Sequence, residues 1–116
     1  MKLIIAGSRG YKNYDFLQHT LNTQFAKIGD PSEIVHGNAY GVDTMGGYYA
    51  LKYKIPQKKF IPDWDKYGKA AGPIRNTQMA DYADALFAFW DGKSRGTKNM
   101  IDTAKSKGLK VTVFLI

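Results

Sequence analysis

The sequence predicts an α/β domain built on a five-stranded parallel sheet in the order 3-2-1-4-5, with helices on both faces. Three observations carry this reading. Short apolar runs alternate with segments of helical periodicity along all 116 residues. Glycine-rich turn signals separate them, and right-handed crossovers bring each successive strand back parallel to the last. The two most hydrophobic interior runs, Lys2-Leu3-Ile4-Ile5-Ala6 and Ala85-Leu86-Phe87-Ala88-Phe89-Trp90, are the first and fourth, and placing them side by side sets the order.

The first run is halted by Gly7-Ser8-Arg9-Gly10. Leu17, Leu21, Phe25 and Ile28 then fall at helical spacing, with Asn13 as N-cap and Gly29-Asp30-Pro31 as the stop. Glu33-Ile34-Val35-His36 reads as a second strand, cut by Gly37-Asn38. A second helix runs from about Gly41, with Val42, Met45, Tyr49 and Tyr53 along one face and Pro56 closing it. Lys58-Lys59-Phe60-Ile61 is the third strand, followed by a loop through Gly68 and a third helix beginning at Pro73. Ala85–Trp90 suits a strand buried on both faces. The loop Asp91-Gly92-Lys93-Ser94-Arg95-Gly96-Thr97 leads into a fourth helix ending at Lys107 with Gly108 as its cap, and Val111–Ile116 forms the last strand.

Composition narrows the function classes. A length of 116 residues suits one domain, 1–116, and 44% apolar content is enough for a packed core. No apolar stretch approaches the ~20 residues a membrane span requires. The first strand starts at once, without room for a secretory signal, so a cytoplasmic location and no membrane partner are expected. The absence of cysteine excludes disulfides, thiolate metal sites and a cysteine nucleophile, and the two histidines, His19 and His36, are too far apart in sequence to suggest a metal site. Seventeen Lys+Arg against ten Asp+Glu give +7 and a preference for anionic partners.

In such a sheet ligands bind beyond the carboxyl ends of the strands, where strand order reverses, here between the first and fourth strands. The loops delivered there hold Gly7, Ser8, Arg9, Gly37, Asn38, Gly41, Gly92, Ser94, Gly96 and Thr97, flanked by the stretch from Trp64 to Asn76. Glycine in these turns either exposes amide N–H groups to a ligand or simply makes the turn. The only arginines, Arg9, Arg75 and Arg95, are placed near helix N-termini, where the macrodipole opposes a cation. A bound phosphate would resolve that conflict, since arginine matches its oxygens in pairs. The alternative is pairing with Asp63, Asp65 or Asp91. Asp43 and Asp91 can accept from ribose hydroxyls, or Asp43 can cap its helix. Trp64 and Tyr67 can stack on a base, or pin their loop. No dedicated metal site is apparent; Asp63, Asp65 and Asp91 could share a magnesium ion carried in on a phosphate.

Gly7-Ser8-Arg9-Gly10, His36-Gly37-Asn38-Ala39-Tyr40-Gly41-Val42-Asp43, the segment Trp64 to Asn76, and Ala88-Phe89-Trp90-Asp91-Gly92 with Ser94-Arg95-Gly96-Thr97 resemble the YspA/YpsA-related branch of the SLOG superfamily. The resemblance covers nearly the whole chain. It implies a Rossmann-like three-layer α/β/α fold, similar to that of the Lonely Guy phosphoribohydrolases and the DNA-processing protein DprA, and binding of a nucleotide or nucleotide-derived ligand such as an ADP-ribose-like molecule. Lonely Guy enzymes carry Gly-Gly-x-Gly-Thr-x-x-Glu with a catalytic glutamate. Aligning Gly96-Thr97 on that motif places Met100 at the glutamate. Arg75 matches the family's catalytic arginine, and an aspartate, Asp91 or Asp65, would have to replace the acid.

Three readings follow. The first is a binding module for a nucleotide-type ligand, needing no cofactor and acting as a sensor or sequestering protein. Its expected contacts are Gly7, Ser8, Arg9, Gly37, Asn38, Gly41, Asp43, Trp64, Arg75, Asn76, Asp91, Gly92, Ser94, Arg95, Gly96 and Thr97. The second is an N-glycosidic hydrolase with Arg75 and Asp91 as catalytic candidates. The third is single-stranded nucleic-acid binding through Lys58-Lys59, Trp64 and Tyr67, ranked last because the fourteen lysines are scattered. A homo-oligomer would use Tyr48, Tyr49 and Tyr53, unless these pack on the sheet.

Overall fold

Leu3, Ile4, Ile5 and Leu86 are wholly buried, and the architecture is organised around these two central strands. The computed structural model describes residues 1–116. It runs β1 (Lys2–Gly7), α1 (Tyr14–Ile28), β2 (Glu33–His36), α2 (Val42–Lys52), β3 (Gln57–Lys59), α3 (Trp64–Tyr67), a 3-10 turn (Gly68–Ala70), α4 (Ala71–Tyr82), β4 (Ala85–Trp90), α5 (Arg95–Ser106) and β5 (Lys110–Leu115). All pairings are parallel and the order is β3-β2-β1-β4-β5. The fold is Rossmann-like, as the apolar runs predict. Ile4 pairs with Leu86 and Gly7 with Phe89, so β1 and β4 end level with each other.

Strand alternation divides the core in two. Leu3, Ile5, Ile34, Phe87 and Phe89 face α1 and α2, meeting Leu17, Leu21, Phe25 and Tyr49. Ile4, Ala6, Val35, Leu86 and Ala88 face α4 and α5, meeting Met79, Met100 and Ile101. Residues one apart therefore serve opposite layers, as the period of two requires. Asn13 caps α1 by accepting from Phe16 N, and Gly108 follows the last turn of α5 at φ 82°.

The structure corrects four expectations. The third strand is Gln57–Lys59 rather than 58–61, and all three of its residues are exposed; edge position, not an apolar run, defines it. The expected loop before Gly68 contains a helical turn, because Asp63 accepts a hydrogen bond from Lys66 N at 3.1 Å and nucleates it. The next helix starts at Ala71, two residues before Pro73. A proline in the third helical position costs nothing there, since the first four amides of a helix lack intrahelical acceptors. The last strand begins at Lys110, one residue earlier than expected.

Helix α2 lies close on β1 because Gly46 presents no side chain. A Cβ there would stand 2.9 Å from both Cβ and Cγ2 of Ile5. Gly46→Ala should push helix from sheet and destabilise the fold by about 1–3 kcal/mol, the usual cost of overpacking. Urea unfolding monitored by circular dichroism would show the lowered midpoint.

Candidate functional site

The carboxyl end of β1, the middle of α4 and the first turns of α2 and α5 enclose a cleft of about 110 Å³ at the end of the sheet where strand order reverses. Ala6, Met79 and Met100 are among its apolar lining residues, and Arg9, Asp43, Arg75, Asn76, Ser94, Gly96 and Thr97 among its polar walls.

Arg75 dominates it. Its residue exposure is only 7%. Its Nη1 donates to the Gly37 carbonyl at 2.6 Å and its Nε to Asn76 Oδ1 at 3.0 Å. Gly37 must lack a side chain, since a Cβ there would collide with the guanidinium. Burial pulls the Arg75 pKa below its ordinary value; Asp43 opposes that shift and Arg9 adds to it by repulsion. Because α4 begins at Ala71, Arg75 sits in its second turn, beyond the reach of the N-terminal dipole. What opposes this cation is burial rather than the helix end.

Asp43, 5% exposed, binds the loop that Arg75 touches. Its Oδ2 accepts from Gly37 N at 3.2 Å and Ala39 N at 3.5 Å. Burial pushes its pKa up to about 6, against the pull of Arg75 and of the backbone amides of Ala39, Gly37 and Gly7. Asn76 is also engaged at both ends. Its oxygen receives Arg75, while its Nδ2 donates to Asn99 Oδ1 at 2.9 Å and approaches the Gly96 carbonyl at 3.4 Å, linking α4 to α5. Ser94 caps α5, accepting from Thr97 N, and its hydroxyl bonds Thr97 Oγ1 at 3.0 Å. The amides of Arg95 and Gly96, in the first turn of α5, have no intrahelical acceptor.

A second recess of about 250 Å³ adjoins the cleft and shares Arg9, Arg75, Asn76 and Gly96 with it. Arg95, Lys69, Trp64 and Asn99 complete its wall. All three arginines thus border one recess, and none is in an ion pair: the salt bridges of the protein are Lys98–Asp102 and Lys107–Asp81.

Other expected site residues are absent from the lining of both spaces. Gly41 makes the turn into α2 at φ 78°, its missing side chain leaving room for the Ser8 and Arg9 carbonyls. Asn38, at φ 59°, borders a separate surface hollow beside Tyr48 and Lys59. Asp91 accepts from Lys93 N and Ser94 N, both at 2.8 Å, and these bonds hold its pKa below the usual carboxylate value. Gly92, φ 80°, completes that turn. The Ser8 hydroxyl is buried without a hydrogen-bond partner. Asp63 caps α3 and Asp65 is exposed on it; no cluster of three or more acidic or histidine side chains is present. His36 is a satisfied core residue: Nδ1 accepts from Asn38 N and Nε2 lies 3.0 Å from Gln57 Oε1. Tyr49 is core, whereas Tyr48 and Tyr53 are exposed. Sequence reasoning missed Lys69, Asn99 and Met79; helical spacing offers the only signal, Asn99 lying four residues after Arg95 and Met79 four after Arg75.

The model of the family described as YspA, cpYpsA-related SLOG matches residues 1–67. The chain belongs to that family. Membership points to a nucleotide-related ligand-binding or processing role. The chain is also similar to the Gene 61 protein of Mycobacterium phage D29, 29% identical over 119 residues, covering 97% of this chain and 95% of that one. No solved structure matches significantly. No helix of this SLOG protein is long and apolar enough to cross a membrane.

The raised pKa of Asp43 has a stability consequence. The folded chain holds a proton there between 3.8 and about 6 that the unfolded chain releases, so stability falls as pH rises through that window. A shift of this size corresponds to on the order of 3 kcal/mol. Asp43→Asn should remove this component, giving a profile that lacks the wild-type decline when urea midpoints are compared across roughly pH 4 to 7.

Proposed function

We propose that this protein binds a nucleotide or nucleotide-derived phosphate ligand in the cleft between β1 and β4, acting as a sensor or sequestering protein. The supporting observation is Arg75. Protein groups fix its guanidinium on two sides, yet its Nη2 makes no hydrogen bond within the chain and no carboxylate pairs with it. A buried cation is ordinarily paired, because desolvation costs several kcal/mol. An anion entering the cleft meets that guanidinium, with Arg9 beside it and the free first-turn amides of α5.

The cleft suits holding better than cleaving. Met100, at the position of the Lonely Guy glutamate, is buried and lines the cleft, so no acid stands there. Asp43 is the one carboxylate among the cleft residues, and an oxygen of it already receives backbone amides. An N-glycosidic hydrolase reading therefore rests on Asp43, not on Asp91 or Asp65. Incubation with nucleoside monophosphates separates the two readings: stoichiometric binding without released base is the expected result.

Arg75→Ala should weaken nucleotide binding by about 1.5–3 kcal/mol, the range for a lost charge-assisted hydrogen bond. Calorimetry showing unchanged affinity would exclude Arg75 from the site. Gly96 gives a cleaner probe, because a Cβ there meets nothing within 4 Å and its φ is not positive. Gly96→Val should leave the fold intact and abolish binding by filling the cleft; retained affinity would give that glycine no part in the site.

A further inference from the structure

The sheet ends in two unlike edges. At one, β3 is three residues long, fully exposed, and carries Lys58 and Lys59. Short length and lysine are a common protection of an edge against pairing with another chain. At the other, β5 runs six residues, Lys-Val-Thr-Val-Phe-Leu, and pairs only with β4, in unbroken register. Its one charge stands at the first position and it has no proline. Val113 is 36% exposed and Leu115 74%.

The ladder with β4 defines what the open side presents. Ile116 N donates to the Trp90 carbonyl at 3.0 Å. By the strand period of two, Phe114 and Thr112 also direct their backbone groups at β4, and Val111, Val113 and Leu115 direct theirs outward. The side chains of these three share one face. Val111 packs with the α4/α5 layer, whereas Phe114 and Ile116 pack with the α1/α2 layer.

We propose that β5 pairs antiparallel with β5 of a second copy, about a two-fold axis at Val113, joining two five-stranded sheets into one. In this register Val111 faces the partner's Leu115, and Val113 faces the partner's Val113. Every outward N–H then finds a carbonyl, and the apolar side chains meet on the same pairs. The two copies of Lys110 are held roughly 20 Å apart along the ladder, beyond the ~8 Å screening length, so they do not oppose the contact. Both outer edges of the joined sheet are β3, so the lysine-bearing strands stop growth at two copies. A pair of six-residue strands is small beside the roughly 20–30 residues a side of a standard interface, which makes the dimer a weak one, of micromolar dissociation constant. Antiparallel pairing points the two clefts to opposite ends of the sheet, so neither depends on the other copy.

Sedimentation velocity on the wild-type chain should show a monomer–dimer equilibrium at micromolar concentrations. Hydrogen exchange, which needs no variant, should slow with concentration at the amides of Val111, Val113 and Leu115 and not at Thr112 or Phe114. Val113→Pro removes one outward N–H without touching the ladder to β4, and should weaken dimerisation at least about tenfold with the circular dichroism of the fold retained. Val113→Lys and Val113→Glu place like charges directly opposite each other at the axis, so each alone should be monomeric and an equimolar mixture should dimerise. A monomer persisting at millimolar concentration overturns the proposal. So does a mixture that stays monomeric, or a Val113→Lys dimer as tight as wild type, which would move the contact to another surface such as exposed Tyr48 and Tyr53 on α2.

Discussion

A single buried cation organises the carboxyl end of the sheet in this protein. The Arg75 guanidinium is removed from water, and the desolvation of such a group costs several kcal/mol unless hydrogen bonds and opposite charge offset it. The surrounding chain is arranged to supply that offset. The Gly37 carbonyl and the Asn76 side chain accept from it, and Asp43 lends a negative charge from nearby. Each partner in turn constrains a different element. Gly37 is the first residue after β2, Asp43 stands in the first turn of α2, and Asn76 reaches across to α5. Moving the guanidinium would therefore disturb three elements that are distant in sequence.

That arrangement explains why the glycine-rich loops do different work although they are alike in composition. Gly37 yields space to a side chain, and Gly41 to two carbonyls at positive φ. Gly96 yields space to nothing in the protein, and it borders both the cleft and the recess. A glycine demanded by neighbouring atoms is explained by the fold alone. A glycine beside empty space, in the first turn of a helix where alanine would be a better helix former, is not.

Much of the architecture was legible because it depends on local patterns. Six-residue apolar runs at Lys2–Gly7 and Ala85–Trp90 announce buried parallel strands, and Asn13 and Ser94 mark helix starts by their capping chemistry. The edge strand Gln57–Lys59 carries no apolar signal at all, being polar, exposed and defined by its pairing with β2. Pro73 misplaced a helix start because proline is tolerated throughout the first turn, not only at its first residue. In the site, the arginines were conspicuous by type and scarcity. Asp91 and Gly92 were harder to assign, since the residues that shape a tight turn are the same kinds that contact a ligand, and only coordinates show that Asp91 binds the amides of its own loop. Lys69 reaches the recess from the 3-10 turn through packing that no local pattern encodes, and Asn99 is signalled only by its place one helical turn after Arg95.

Asp43 shows how the fold and the proposed function draw on the same free energy. Its carboxylate is held in a place where burial disfavours the charge, and Arg75 is held where burial disfavours the opposite charge. The two relieve each other only in part, without closing into a salt bridge, while Arg9 adds repulsion to Arg75. No salt bridge joins the pair, and the Arg75 Nη2 has no partner within the chain. Keeping the pair apart leaves the native state with unsatisfied positive charge that an anion can satisfy. Any ligand that binds the folded chain alone adds to its stability through mass action. Under the proposed function, the burial that disfavours the Arg75 charge and the affinity for an anion would be two readings of one electrostatic imbalance, held in place by the Gly37 carbonyl just after β2.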